Sequence, residues 1–242
     1  MLTASQILEV WEQGRSQTPV QRALSLLALA LPENSERDLE RCGIGRRDRE
    51  LLALRQRIFG PRLTASAKCP ACGEIVEADF AVTDIQTPPS AGGTEPLPFR
   101  SGEFELDFRL PTCGDLAKLD PGVSVAQQKK TLLQCCVTSA RQNGNAFPAD
   151  SIPDQVVAAL SDHMAQIDPQ GDIQLALNCP QCAHRWDAVL DIASYLWNEI
   201  NAWAVRTLRE IHTIATAYGW TEPEILKLSP WRRQAYLEII QS

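Results

Sequence analysis

The sequence predicts a mainly helical α+β fold built around one small β element, and three observations carry that expectation. Two short cysteine pairs, Cys69-Pro70-Ala71-Cys72 and Cys179-Pro180-Gln181-Cys182, each sit between stretches that alternate as strands do. Helix-start signals, a Ser or Thr followed three residues later by Gln or Asp, recur along the chain. Long runs near both ends keep the 3.6-residue apolar period of helices.

Each cysteine pair is a knuckle. Two residues between the sulfurs, with Pro fixing φ at the first, turn the backbone tightly enough for both cysteines to face one ion. Arg62 to Lys68 and Gly171 to Asn178 lead in as strands, and Glu74 to Phe80 and His184 to Leu190 lead out, so the two segments form a weak internal repeat of hairpins. Cys69, Cys72, Cys179 and Cys182 together supply the four thiolates of a tetrahedral zinc ribbon. A redox dithiol or chance core cysteines are the alternatives, and the duplicated Pro-containing knuckle argues against both. Four thiolates close the coordination shell, so the expected Zn2+ is structural and takes no part in catalysis. His184 could replace one thiolate, but a supporting or strand-face position suits it better. The ribbon is split, since 106 residues separate Cys72 from Cys179, far more than a compact finger uses.

Composition narrows the setting. The chain has 242 residues, 44% of them hydrophobic, enough for a sizeable core. Its formal charge of -7 disfavours nucleic acid as a partner and points to proteins. No apolar signal segment opens the chain, and four of eight cysteines are claimed by the metal, so reducing cytoplasm is the expected location. The longest apolar run, Ala23 to Leu31, stops at Pro32, too short for a membrane span.

Taken in order, Thr3 with Gln6 opens a helix from Ala4 to about Gln13, with Ile7, Leu8 and Trp11 as its apolar stripe. Thr18 with Gln21, and Pro19 at the first helical position, opens a second, almost wholly apolar helix running to about Leu31. Ser35 with Asp38 starts a short third helix, and Gly43 and Gly45 punctuate the way to a fourth from Arg46 to Phe59. That helix carries Arg46, Arg47, Arg49, Arg55 and Arg57, a basic face that either docks an acidic partner or, the favoured reading, is solvated and paired with the protein's own carboxylates.

Between the knuckles, residues 87–102 hold four Pro and three Gly and read as a flexible tether. Phe104, Leu106, Phe108 and Leu110 then alternate with charged residues as a strand. Thr112 with Asp115 caps a short helix, Ser124 with Gln127 a longer one to about Ala140, and Pro153 opens another ending near Asp168. The insertion is thus expected to hold one strand and about three helices. Cys42, Cys113, Cys135 and Cys136 read as small core or semi-exposed residues. After the second knuckle, Asp191 to Tyr218 keeps one helical period throughout, roughly 40 Å long at 1.5 Å per residue. Thr221 starts a further turn of helix, and Ser229-Pro230 opens a terminal helix with Trp231, Ala235, Tyr236, Ile239 and Ile240 inward and Arg232 and Arg233 outward.

The expected organisation is therefore an N-terminal helical region over 1–61, a split zinc ribbon over 62–85 and 171–190, an inserted α+β subdomain over 86–170, and a long helix with a helical tail over 191–242. The sequence lacks a phosphate loop, a dinucleotide glycine fingerprint, a nucleophile elbow and a helical His-Glu zinc motif. Its three histidines, His163, His184 and His212, are far apart. A non-enzymatic protein is expected.

Three segments together carry a family resemblance: Arg47 to Gly60 running into the first knuckle, then the second knuckle, then Tyr218-Gly219-Trp220-Thr221-Glu222-Pro223-Glu224-Ile225-Leu226 followed by Trp231 to Leu237. In that order they resemble the baseplate-hub assembly chaperone family of T-even-like contractile-tailed phages and related contractile injection systems. The resemblance implies a cytoplasmic assembly chaperone or adaptor acting on baseplate hub or spike proteins, or else a permanent minor baseplate component. It implies no catalytic residues and no cofactor beyond a structural metal. A zinc-ribbon nucleic-acid binder is the alternative from another class.

Overall fold

The computed structural model describes residues 2–88 and 96–241. In chain order the elements are α1 (Ala4–Gly14), α2 (Pro19–Ala30), α3 (Glu36–Glu40), α4 (Ile44–Phe59), β1 (Arg62–Lys68), β2 (Ile75–Ala81), α5 (Val82–Ile85), β3 (Leu97–Ser101), β4 (Phe104–Phe108), α6 (Cys113–Ala117), α7 (Val125–Cys136), β5 (Val137–Gln142), β6 (Asn145–Ala146), α8 (Asp154–Ile167), β7 (Gln174–Asn178), β8 (Arg185–Val189), α9 (Ile192–Tyr218), α10 (Glu222–Leu226) and α11 (Pro230–Gln241). The fold is mixed α and β. Two compact units divide it, Met1–Leu26 with Ala193–Ser242, and Leu27–Ile192. No helix among the described residues is long and apolar enough to cross a membrane.

In the unit formed by the two chain ends, both hydrogen bonds of the Thr3 capping box are made, which fixes where α1 begins. Leu8 of α1 packs with Ala204, Ile211 and Ile214 of α9 and Ile225 of α10, and Trp203, Trp220 and Tyr236 lie partly buried against this cluster. Gly14 is a packing requirement, because a Cβ there would lie 2.3 Å from the Trp197 indole. The Arg22 guanidinium stacks on that indole from 4.7 Å while its Nε donates to the Gly14 carbonyl at 2.7 Å. Four expectations for α11 are corrected. Arg233 is buried and paired with Glu210 at 3.2 Å, and Trp231 is 87% exposed. Ala235 and Ile239, expected inward, are exposed as well. Pairing with Glu210, which the sequence period does not encode, decided the position of Arg233.

The core of the second unit lies under an antiparallel sheet in the order β3-β4-β5-β6. Phe104, Leu106 and Phe108 of β4 meet Leu133 and Cys136 of α7 and Val156, Leu160 and Met164 of α8. His163 packs against the rings of both Phe99 and Phe108, with centroids at 5.3 and 5.8 Å. Among its described residues the insertion therefore holds four strands, where one was expected. The helix expected to run to Ala140 ends at Cys136, because Val137-Thr138-Ser139 is better matched to a ladder with β4 than to another helical turn. Asn143-Gly144, both with positive φ (50° and 80°), then turns β5 into β6. Residues 97–101 of the expected tether form β3, paired with β4 from Leu97↔Phe108 to Ser101↔Phe104. Residues 89–95 of that tether lie outside the described residues.

Three of the five arginines of α4, Arg47, Arg49 and Arg55, are fastened rather than solvated, while Arg46 and Arg57 are exposed as expected. Arg47, 9% exposed, pairs with Asp48 at 2.7 Å, and burial pushes the Asp48 carboxyl up despite that partner. Arg49 donates to the Thr87 and Pro88 carbonyls at 3.3 and 2.8 Å, and Arg55 donates to the Gly60 and Arg62 carbonyls at the start of β1. Gly45, expected to precede this helix, lies inside it. Its amide donates to Asp168 Oδ2 at 2.9 Å, and a Cβ there would fall 1.9 Å from Asp168 Oδ1. Only glycine leaves room for that carboxylate. Cys42, Cys113 and Cys136 are buried and Cys135 is half-buried, as their neighbours in sequence suggested.

Candidate metal centre

Each knuckle is carried on the tip of an antiparallel hairpin. β1 and β2 pair from Arg62↔Ala81 to Lys68↔Ile75, and β7 and β8 pair from Gln174↔Val189 to Asn178↔Arg185. Strand alternation brings each chain to its first cysteine at the end of the ladder, and Pro70 or Pro180 begins the turn.

The two turns are closed by the same backbone bonds. The Cys69 amide donates to the Glu74 carbonyl at 2.8 Å and the Gly73 amide to the Cys69 carbonyl at 2.9 Å. In the second knuckle the Cys179 amide donates to the His184 carbonyl and the Ala183 amide to the Cys179 carbonyl, both at 2.9 Å. The residue after each pair is left-handed, Gly73 at φ 82° and Ala183 at φ 57°. Glycine takes that conformation freely, and alanine does so against its own Cβ.

These turns bring the four sulfurs that the sequence singled out into one cluster. The Sγ atoms of Cys69, Cys72, Cys179 and Cys182 all lie within 4.8 Å of one another. Across the hairpins, Cys69 and Cys182 are 3.7 Å apart and Cys72 and Cys179 are 3.5 Å apart. A tetrahedral ion with metal–sulfur bonds of about 2.3 Å sets its sulfurs about 3.8 Å from each other, so this spacing fits. It is far beyond the roughly 2.05 Å of a disulfide.

Electrostatics point the same way. Burial opposes ionisation of Cys69, but the amides of Cys72 and Ala71 and the thiols of Cys72 and Cys182 outweigh it and bring the group down to about 7. At Cys72 the Glu74 amide favours the thiolate, yet the sulfurs of Cys182, Cys179 and Cys69 prevail and push it up to about 12. Cys182 is raised as well, although the His184 amide pulls against the shift. Four sulfurs at this spacing repel one another as anions, and a bound dication removes the conflict.

Cys69 and Cys179 are buried, while Cys72 and Cys182 are exposed. Val76 and the partly buried Trp186 cover the inner pair. Both stand four residues past the second cysteine of their knuckle, a spacing that the internal repeat displays but that was not singled out from sequence. His184 is outside the four-sulfur group; its ring is exposed and stacks on Trp186, with centroids 6.1 Å apart.

A family model described as T4 bacteriophage base plate protein matches residues 32–196, a stretch containing both knuckles. No curated protein and no solved structure gives a significant match to the chain.

Proposed function

The chain belongs to the T4 bacteriophage base plate protein family, and from that premise we propose that it is a non-enzymatic assembly chaperone or adaptor for the baseplate hub of a phage tail or phage-like contractile injection system. It acts in the cytoplasm on other baseplate proteins, the hub and spike proteins first among them. The observation that carries the reading is the convergence of four cysteines, from two hairpins, inside the family-matched stretch.

In this reading Cys69, Cys72, Cys179 and Cys182 hold a structural Zn2+ and the paired hairpins are a split zinc ribbon. The ion supplies a cross-link between two parts of the chain and, with four sulfur ligands, keeps no open position for water or substrate. The residues of the chain do the rest: the two left-handed turns aim the sulfurs, their amides stabilise thiolates, and Val76 and Trp186 keep water from the inner pair. Asp115, one of several carboxylates lining a cleft of about 1110 Å³ with Arg46, Arg109 and Thr112, is tied up by its neighbours. Arg109 grips Asp115 through two bonds of 2.6 and 2.9 Å, and Thr112 Oγ1 donates to it at 2.8 Å. These contacts, working against burial, hold Asp115 down at about 2. A carboxylate so engaged is a poor proton acceptor.

The description of the family as a base plate protein favours a second reading, a permanent minor component of the particle. Co-expression with neighbouring hub and spike proteins followed by pull-down tests the adaptor reading, and failure to bind any of them sinks it. Mass spectrometry of purified particles separates the two roles. A stoichiometric signal supports the component; absence from particles that still require the gene supports the chaperone.

A further inference from the structure

Beyond the metal hairpins, the end-derived unit carries a surface that its own packing leaves unfinished. Trp231, the second residue of α11, is 87% exposed, whereas the aromatic rings of Trp203, Trp220 and Tyr236 in the same unit pack on its core. An indole left in water forgoes the burial of a large apolar group, and such residues concentrate where partners bind. Trp231 stands on the rim of a groove of about 350 Å³ between α9 and α11, whose walls include Trp203, Arg206, Pro230 and Gln234.

The groove floor is set rigidly. Arg233 is buried, pairs with Glu210 at 3.2 Å, and donates to the Leu228 carbonyl at 3.1 Å. Besides that neutralised pair and Glu238, whose carboxylate accepts from Gln234 Nε2 at 3.1 Å, the local charges are Arg206 in the groove wall and Arg232 next to the exposed indole in sequence. Both are exposed, and neither has a carboxylate partner among the described residues. In a chain of net charge -7 this is a locally positive, aromatic site.

We propose that the α9–α11 groove docks an acidic segment of another protein, with one apolar side chain of that segment against Trp231 and its carboxylates on Arg206 and Arg232. Arginine and tryptophan together are the residues that anchor such contacts, and guanidinium pairs with carboxylate in a planar, two-bonded geometry. A second copy of the chain fits less well, because a two-fold interface through this groove would set Arg206 and Arg232 against their own duplicates. The whole surface lies past residue 196, outside the family-matched stretch. The inference stands independently of the metal reading.

The test uses the full chain and fluorescein-labelled octapeptides of Asp and Glu with a single Leu or Phe at each position in turn, against matched peptides of Asn and Gln. Fluorescence anisotropy should show at least tenfold tighter binding to the acidic set, weakening as salt rises. Trp231→Ala and Arg206→Glu should each reduce that binding at least tenfold. Both side chains are exposed, and circular dichroism with a melting curve verifies that the variants stay folded. Equal binding of the amide set, or unchanged binding in both folded variants, overturns the proposal. So does sedimentation showing a dimer that Trp231→Ala abolishes, or tighter binding of a single-stranded oligonucleotide at the same groove.

Discussion

The two knuckles reach one backbone from different residues, and their differences separate what a four-sulfur site requires from what it tolerates. Both have Pro after the first cysteine, the same pair of closing hydrogen bonds and a left-handed residue after the second cysteine. The first places Gly73 in that last position and covers its buried sulfur with Val76. The second places Ala183 there and uses the larger Trp186. The sulfurs and the turn are common to both, while the means of stabilising them vary.

The harshest way to break the comparison is to remove one sulfur from either side. Cys69→Ser and Cys179→Ser should behave alike, each taking bound zinc from one equivalent to none and lowering the melting temperature by at least about 10 °C, since metal-binding free energy in such a site is folding free energy. Cys135→Ser should leave metal content unchanged. Elemental analysis beside a melting curve checks all three, and metal retained by Cys179→Ser would refute a shared site.

The covering residues should differ next. Trp186→Ala is expected to cost about 2 kcal/mol or more and Val76→Ala about 1–2 kcal/mol, in proportion to the apolar surface each deletion removes. Denaturant titration of the zinc-loaded protein measures the order. The left-handed residues should then give shifts of opposite sign, of about 1 kcal/mol each: Gly73→Ala destabilising, Ala183→Gly stabilising. Space is not the issue, because a Cβ on Gly73 would meet only the flexible Lys68 Cε at 3.4 Å. If Ala183→Gly has no effect, the backbone there is not strained and the knuckles differ more than their hydrogen bonds imply. Smallest of all is the ion pair of Arg62 with Asp79, found in the first hairpin. Its side chains are 65% and 56% exposed, and Arg62→Ala should leave the melting temperature within error.

Legibility from sequence followed the range of the interaction. The knuckles and the capping boxes at Thr3, Ser35 and Thr112 were readable because all their bonds close within a few residues. The partnership of the two cysteine pairs across the insertion was readable because the motif is duplicated. The strands β3 and β5 were not, since Pro98 suggested a tether and Gln134-Cys135-Cys136 let a helical period run on into Val137. What makes them strands is β4 between them, a contact no local window contains. Arg47, Arg55 and Arg233 were misplaced outward for the same reason: each is buried by a partner that periodicity ignores, Asp48, the carbonyls before and within β1, and Glu210. The Asn143-Gly144 turn was a usable local signal that pointed to β5 and β6.

The interval between the knuckles also imposes an order in time. Cys72 and Cys179 are 107 positions apart, and at about 5–20 residues per second a ribosome needs roughly 5–20 s to deliver the second pair after the first. During that delay the nascent chain offers only half a coordination shell, and the strands and helices of the insertion emerge before the other half exists. In the proposed role, capture of an ion would thereby be a late event in biogenesis, following synthesis of the whole intervening subdomain.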